Sequence, residues 1–132
     1  MTVVVDTSAL IAILLREPDN ERLQNVLENG RALLTFGNRV ELSLVLGGRV
    51  GTEAKNRIER LLDAYEIQLV PGDEAQLACA IEGSCRFGKG RGAEGSFLNY
   101  GDLFAYALAK ASDLPLLDKG NDFAHTDIRP AV

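Results

Sequence analysis

The chain is 132 residues long, 46% apolar and 25% charged, with a formal net charge of −5. That length and balance fit one soluble domain over residues 1–132 with a sizeable core. The negative total argues against nonspecific nucleic-acid binding, whose affinity comes from cations displacing counterions on phosphates, so any such contact must come from a local basic cluster.

Val3 to Val5 form a short β-branched run closed by Asp6-Thr7-Ser8, which predicts a buried strand feeding a helix that continues through Leu15. Asp6 breaks the apolar run and neither a basic leader nor a small-residue cleavage site is present, so the segment reads as fold and not as a signal peptide. Pro18 ends the helix, and Asp19 or Asn20 caps a second one with Leu23, Val26 and Leu27 at helical spacing and Gly30 closing it. Ala32 to Thr35 is the next strand. Gly37-Asn38 opens a helix carrying Val40, Leu42, Leu44, Val45 and Leu46, loosened at Gly47-Gly48, and Thr52 caps another with Ile58, Leu61 and Leu62 inside. Ile67 to Val70 is a third strand, and Pro71-Gly72-Asp73 makes a turn and cap before a helix to about Cys85. A glycine-rich loop, Gly88 to Gly95, leads to Gly101–Ser112, a helix apolar nearly all round, with short strands over Leu114–Leu117 and Thr126–Ile128.

Strands separated by one or two helices imply right-handed crossovers. The expected fold is therefore an α/β three-layer sandwich, with a mainly parallel sheet of about five strands covered by helices on both faces. No segment is long enough to span a membrane, and Cys79 and Cys85, six apart on a helix, lack metal or disulfide spacing, which suits a reduced cytoplasmic protein.

The stretch GSCRFGKGRG, Gly83 to Gly92, comes within one residue of a Walker A loop, with Gly90 where the Ser or Thr should stand. A phosphate loop joins a strand to a helix, whereas this one leaves a predicted helix; the GxGxxG match from Gly90 to Gly95 fails for the same reason. Arg86, Lys89 and Arg91 cluster here as a candidate phosphate clamp, or as a solvated loop with no contacts.

Four carboxylates stand in places that a purely structural account explains only singly. Asp6 follows the first strand, where ligands gather in parallel sheets, but also suits an N-cap. Glu41 shares a helix face with Leu44 and Val45, which are expected to point inward, so it needs either a metal or a salt bridge to Arg39 or Arg49. Asp102 opens the apolar helix, where an acid also suits the helix dipole, and Asp122 lies in KGNDF, where it also suits a turn. In a parallel sandwich the four can converge at one end of the sheet. Carboxylates gathered without a cation repel one another, and hard oxygen ligands without His or Cys favour Mg²⁺ or Mn²⁺. His125, the only histidine, reads as a loop residue.

The sequence resembles the PIN-domain ribonucleases, specifically the VapC-type toxins of type II toxin–antitoxin systems, over essentially its whole length. The likeness is carried by VVVDTSALIAILLREP, RVELSLVL, RFGKGRG, LNYGDLFAYALAKA and KGNDFAHTDI, in that order. It implies a metal-dependent endoribonuclease, usually a homodimer, inhibited by a cognate VapB-type antitoxin. Asp6, Glu41, Asp102 and Asp122 match the family's acids as catalytic and metal-binding residues. Thr7 and Ser8 match the small hydroxyl residues that often help to hold metal-bound water, and with Arg86, Lys89 and Arg91 they are the expected substrate-binding residues. Asp118 departs from the pattern, because its position is usually apolar or a hydroxyl residue. A nucleotide-binding regulator using the glycine loop and an inactive PIN interaction module are the alternatives.

Overall fold

The computed structural model describes residues 1–89 and 97–132. Strands β1 (Thr2–Val5), β2 (Arg31–Thr35), β3 (Gln68–Val70) and β4 (Leu116–Leu117) pair in parallel in the order β3-β2-β1-β4, with Val4 opposite Leu116, Val3 opposite Ala32 and Leu34 opposite Leu69. Period-two alternation divides the core into two layers. Val3, Val5, Ala32, Leu34 and Leu117 face helices α1 (Thr7–Leu14), α2 (Asn20–Glu28), α3 (Phe36–Val50) and α4 (Ala54–Ala64), which contribute Leu10, Leu23, Leu42, Leu46 and Ile58. Val4 and Leu116, with Leu33, face the other way, onto α6 (Tyr100–Ser112) and the end of α5 (Glu74–Phe87), where Tyr106 and Leu108 are buried. The three layers expected from the sequence are present.

Two sequence expectations fail locally. Among the described residues the sheet has four strands, not about five, because Thr126 Oγ1 donates to Phe123 O at 2.8 Å and accepts from Ile128 N–H, which turns the chain where a strand was expected over Thr126–Ile128. The C-terminal segment meets the sheet through one bridge, with Arg129 O and Ala131 N bonded to Leu116. Thr52 caps nothing; it lies in a 3₁₀ turn, Gly51–Glu53, that leads straight into α4. The cap on this side of the fold is Thr35, whose hydroxyl accepts the Asn38 backbone N–H at 3.0 Å and starts α3 one residue before Gly37.

Helix α3 also turns differently from its expected orientation. Its buried stripe is Asn38, Leu42 and Leu46, whereas Leu44 and Val45 are 73% and 41% exposed. Both stripes follow a four-residue spacing, and Phe36, Val40 and Leu44 make an exposed apolar row on the outside of the same helix. The helix runs through Gly47 and Gly48 without interruption.

The strand order places a topological switch between β1 and β4. The chain leaves β1 toward β2 and β3, then crosses back to add β4 on the other side of β1. In parallel sheets the crevice outside the carboxyl ends of the strands at such a switch is where ligands bind. Asp6 follows β1 there and Asp118 follows β4, and the Asp6 N–H donates to Leu117 O at 2.9 Å.

Candidate active site

Asp6 is 4% exposed and caps α1, its Oδ2 accepting the Ser8 N–H at 3.1 Å. The capping role therefore holds, but it uses only half of the carboxylate. The other oxygen, Oδ1, is buried with no hydrogen-bond partner. Burial pushes the carboxyl up to about 6, against the lowering effect of the Ser8 hydrogen bonds, and the charges of Glu41 and Asp122 push it further in the same direction.

Asp102 repeats this double role on α6. It is the third residue of a capping box in which its backbone N–H donates to Asn99 Oδ1 at 2.8 Å and its Oδ2 accepts the Asn99 N–H at 2.9 Å. Its side chain is 6% exposed, and burial lifts the carboxyl to about 7; the Asn99 N–H opposes this rise, while Asp6, Asp122 and Glu41 add to it. A carboxylate needed only as a cap would not have to face three others.

Glu41 has neither of the salt bridges that the sequence left open. The Arg39 guanidinium bonds to Ser43 Oγ, and Glu41 Oε1 instead accepts from Asn38 Nδ2 at 3.2 Å. Its carboxylate lies against Gly101, where an added Cβ would overlap it. Asp122 is exposed in the turn after β4, near enough to act on Asp6, Asp102 and Asp118. Asp118, half-buried, is raised to about 6 by burial and by Asp6 and Asp122, with Arg22 opposing. A cleft of about 300 Å³ lined by Arg22, Asp118, Gly120 and Phe123 opens beside this group, flanking the acids and not covering Asp6, Glu41 or Asp102.

The structure thus gathers the five acids into one electrostatic neighbourhood. They stop short of a closed ligand set: among the described residues no three Asp, Glu, His or Cys side chains are arranged to hold a metal ion directly. The donor chemistry nevertheless suits a hard divalent cation, because the groups gathered here offer carboxylate oxygens, Asp6 Oδ1 is orphaned, and other acids are the charges that raise Asp6 and Asp102.

The hydroxyl residues are bonded to the framework beside Asp6. Thr7 is buried and its hydroxyl donates to Asn38 O at 3.4 Å, while Ser8 Oγ accepts the Lys119 N–H at 3.0 Å and so ties the loop after β4 to the start of α1. Lys119 adds an ion pair to Glu17 at 2.7 Å. Arg86 is engaged away from the acids. It lies 4.7 Å over the Phe87 ring, 3.2 Å from Asp127 and 3.6 Å from Glu82, one helical turn earlier on α5. Tyr106 and Lys110 bond to the same Asp127 carboxylate, and although burial works against it, these bonds hold that group below its ordinary value. Lys89 is exposed at the end of α5, and Arg91, with the rest of 90–96, lies outside the described residues. Gly88 follows a helix, so the Walker-like stretch lacks the strand-to-helix setting of a phosphate loop.

The residue that sequence reasoning missed is Asn38. It is fully buried and bonded to Thr35, Glu41 and Gly101. Its only signal was its place three residues before Glu41, a spacing that puts the two on one helical face.

Residues 3–129 match the PIN domain family. The chain belongs to that family. Within it, the chain is 40% identical over 129 residues to ribonuclease VapC42 of Mycobacterium tuberculosis, covering 97% of this chain and 98% of the relative. It is 41% identical over 126 residues to ribonuclease VapC30 of the same species, covering 95% of each. In structure this PIN domain superposes on VapBC2 from Rickettsia felis, solved bound to a DNA fragment from its promoter, with a TM-score of 0.74 over 98% of this chain and 97% of that one. At 12% identity that likeness speaks to the fold alone.

Proposed function

We propose that this chain is a VapC-type endoribonuclease, the toxin of a toxin–antitoxin pair, which hydrolyses RNA phosphodiester bonds and is inhibited by a cognate VapB-type antitoxin. Identity of 40% along nearly the full length of a curated VapC ribonuclease supports the activity class. The observation that carries the site is the buried, unpaired Oδ1 of Asp6 at the switch point, in the field of Glu41 and Asp122.

In this reading Asp6, Glu41, Asp102 and Asp122 hold Mg²⁺ or Mn²⁺. Such an ion, when bound, supplies Lewis acidity toward the phosphodiester and the water that attacks it. The chain's own part is to fix the acids: the α1 cap leaves Asp6 only Oδ1 to offer, and the capping box leaves Asp102 its Oδ1. Thr7 and Ser8 hold the backbone on which Asp6 sits. Lys89 and Arg91 contact substrate phosphates, and the ion pair of Arg86 with Asp127 steadies the end of α5. Lys89→Ala with Arg91→Ala should weaken RNA binding and flatten its salt dependence, with cleavage recovering at high RNA concentration.

The reading is tested by incubating the purified protein with total RNA and Mg²⁺ or Mn²⁺, against an EDTA control. Cleavage only with metal is expected; cleavage in EDTA would remove the metal from the mechanism. No helix among the described residues is long and apolar enough to cross a membrane, and a cytoplasmic location fits an RNA substrate.

The exposed row Phe36, Val40 and Leu44 fits a homodimer contact. Light scattering at micromolar concentration should give a dimer for the wild type and a monomer for Leu44→Glu. A wild-type monomer would sink this part. The antitoxin should present an apolar helix and a basic side chain, since an Arg or Lys entering the acid group satisfies it in place of a metal.

A further inference from the structure

A buried primary amide must satisfy an acceptor and two donors. Asn38 does so completely: Oδ1 accepts from Thr35 Oγ1 at 2.8 Å, and Nδ2 donates to Gly101 O at 3.0 Å and to Glu41 Oε1 at 3.2 Å. A carbonyl and a carboxylate can only accept, so the amide has one workable orientation; turned over, it would aim its oxygen at two acceptors. The start of α3 does not need this side chain, because the Thr35 hydroxyl takes the Asn38 backbone N–H, which any residue but proline would offer. The two donor bonds are additional to the cap.

They also join parts of the fold that belong to different layers. Helix α3 packs in the core on one face of the sheet and α6 in the core on the other, and they meet at the sheet's carboxyl end through Asn38 and Gly101. Gly101 is followed directly by Asp102, and its lack of a Cβ is what leaves room for the Glu41 carboxylate beside the first turn of α6.

We infer that Asn38 is a positioning residue of the acid site, its two amide N–H bonds locking Glu41 of α3 against the turn of α6 that carries Asp102. This rests on the reading of the acids as a metal site. Residues that orient a ligand change metal affinity or activity by about 10–100-fold when removed.

The test measures Mn²⁺ binding by calorimetry and RNA cleavage kinetics for wild type, Asn38→Ala, Glu41→Gln and the double variant. Asn38→Ala should raise the Mn²⁺ Kd and lower kcat by about 10–100-fold each, with KM for RNA changed by less than about twofold. In the Glu41→Gln background the same substitution should move the Mn²⁺ Kd by less than about twofold, because the ligand it positions has already been removed. A packing role would lower Tm equally in both backgrounds and leave the Kd alone. Should Asn38→Ala fail to fold, Gly101→Ala carries the same expectation, since it keeps Asn38 and displaces the Glu41 carboxylate. A folded Asn38→Ala or Gly101→Ala with wild-type Kd and kcat would overturn the inference, as would an undiminished effect in the Glu41→Gln background. A Glu41→Gln protein that binds Mn²⁺ and cleaves RNA like the wild type would overturn the site reading, and the inference with it.

Discussion

Asp102→Asn should lower RNA cleavage on the order of 10³-fold or more while leaving RNA binding in Ca²⁺ within about twofold of the wild type. Asparagine is nearly isosteric, and its side-chain oxygen can still accept the Asn99 N–H, so the capping box and the start of α6 survive. The change is confined to charge. Asp102 sits in the field of Asp6, Asp122 and Glu41, and burial holds its carboxyl up at about 7. Removing that charge should therefore stabilise the metal-free protein at pH 8, raising Tm in EDTA by roughly 3–8 °C. Loss of activity together with gained stability is the mark of a residue kept for chemistry. If Asp102 were only a cap, Tm would stay level or fall and cleavage would persist. Retained turnover in Asp102→Asn, with turnover lost on mutation of Lys89 and Arg91, would mean that the chemistry belongs to the basic segment.

Why the acids stand out in the sequence, and Asn38 does not, follows from what each kind of residue needs. The valines of β1 and the following Asp6 form a pattern of hydrophobic period plus punctuation, and each such pattern is local. Asp102 at the mouth of an apolar helix and Glu41 within α3 were visible as charges in places that resist charge. Their convergence depends on strand order, and β4 lies next to β1 only because the chain crosses back after β3. Asn38 gives no such local signal, since its bond to Gly101 spans 63 residues and an asparagine near a helix start is commonplace. The inward orientation expected of Leu44 and Val45 failed for a related reason. Helical period defines two stripes on α3, and only packing against α1 and α4 decides that Leu42 and Leu46 are the buried one. The strand expected at Thr126–Ile128 was lost to a side-chain bond, Thr126 to Phe123, that competes with the sheet ladder.

In EDTA, Tm should fall as the pH rises from 5.5 to 8, the reverse of a protein stabilised by paired carboxylates. Asp6 and Asp102 have folded-state values of about 6 and about 7, both above the ordinary 3.8, because burial and mutual repulsion disfavour their charged forms. Between the unfolded and folded values the native state holds more protons than the unfolded one, so stability declines as pH rises through that window and levels off above it. Asp127, whose value is lowered, acts in the opposite sense, but its contribution is lost only as the pH falls below the ordinary carboxylate range, outside this interval. Asp118, also raised to about 6, acts in the same sense; because much of each rise is already felt below pH 5.5, the part that falls within this interval is on the order of a few kcal/mol, at about 1.4 kcal/mol per pKa unit. Mn²⁺ should reverse the slope. It competes with protons for the same oxygens, so the stabilisation on adding the ion should be larger at pH 8 than at pH 5.5, reaching about 2.7 kcal/mol when the free ion is a hundredfold above its Kd. Asp6→Asn with Asp102→Asn should flatten both curves, raising Tm in EDTA at pH 8 and abolishing the Mn²⁺ gain. A Tm in EDTA that climbs steadily from pH 5.5 to 8, or a Mn²⁺ gain that survives in the double variant, would show that these two buried carboxylates are not where the cation binds.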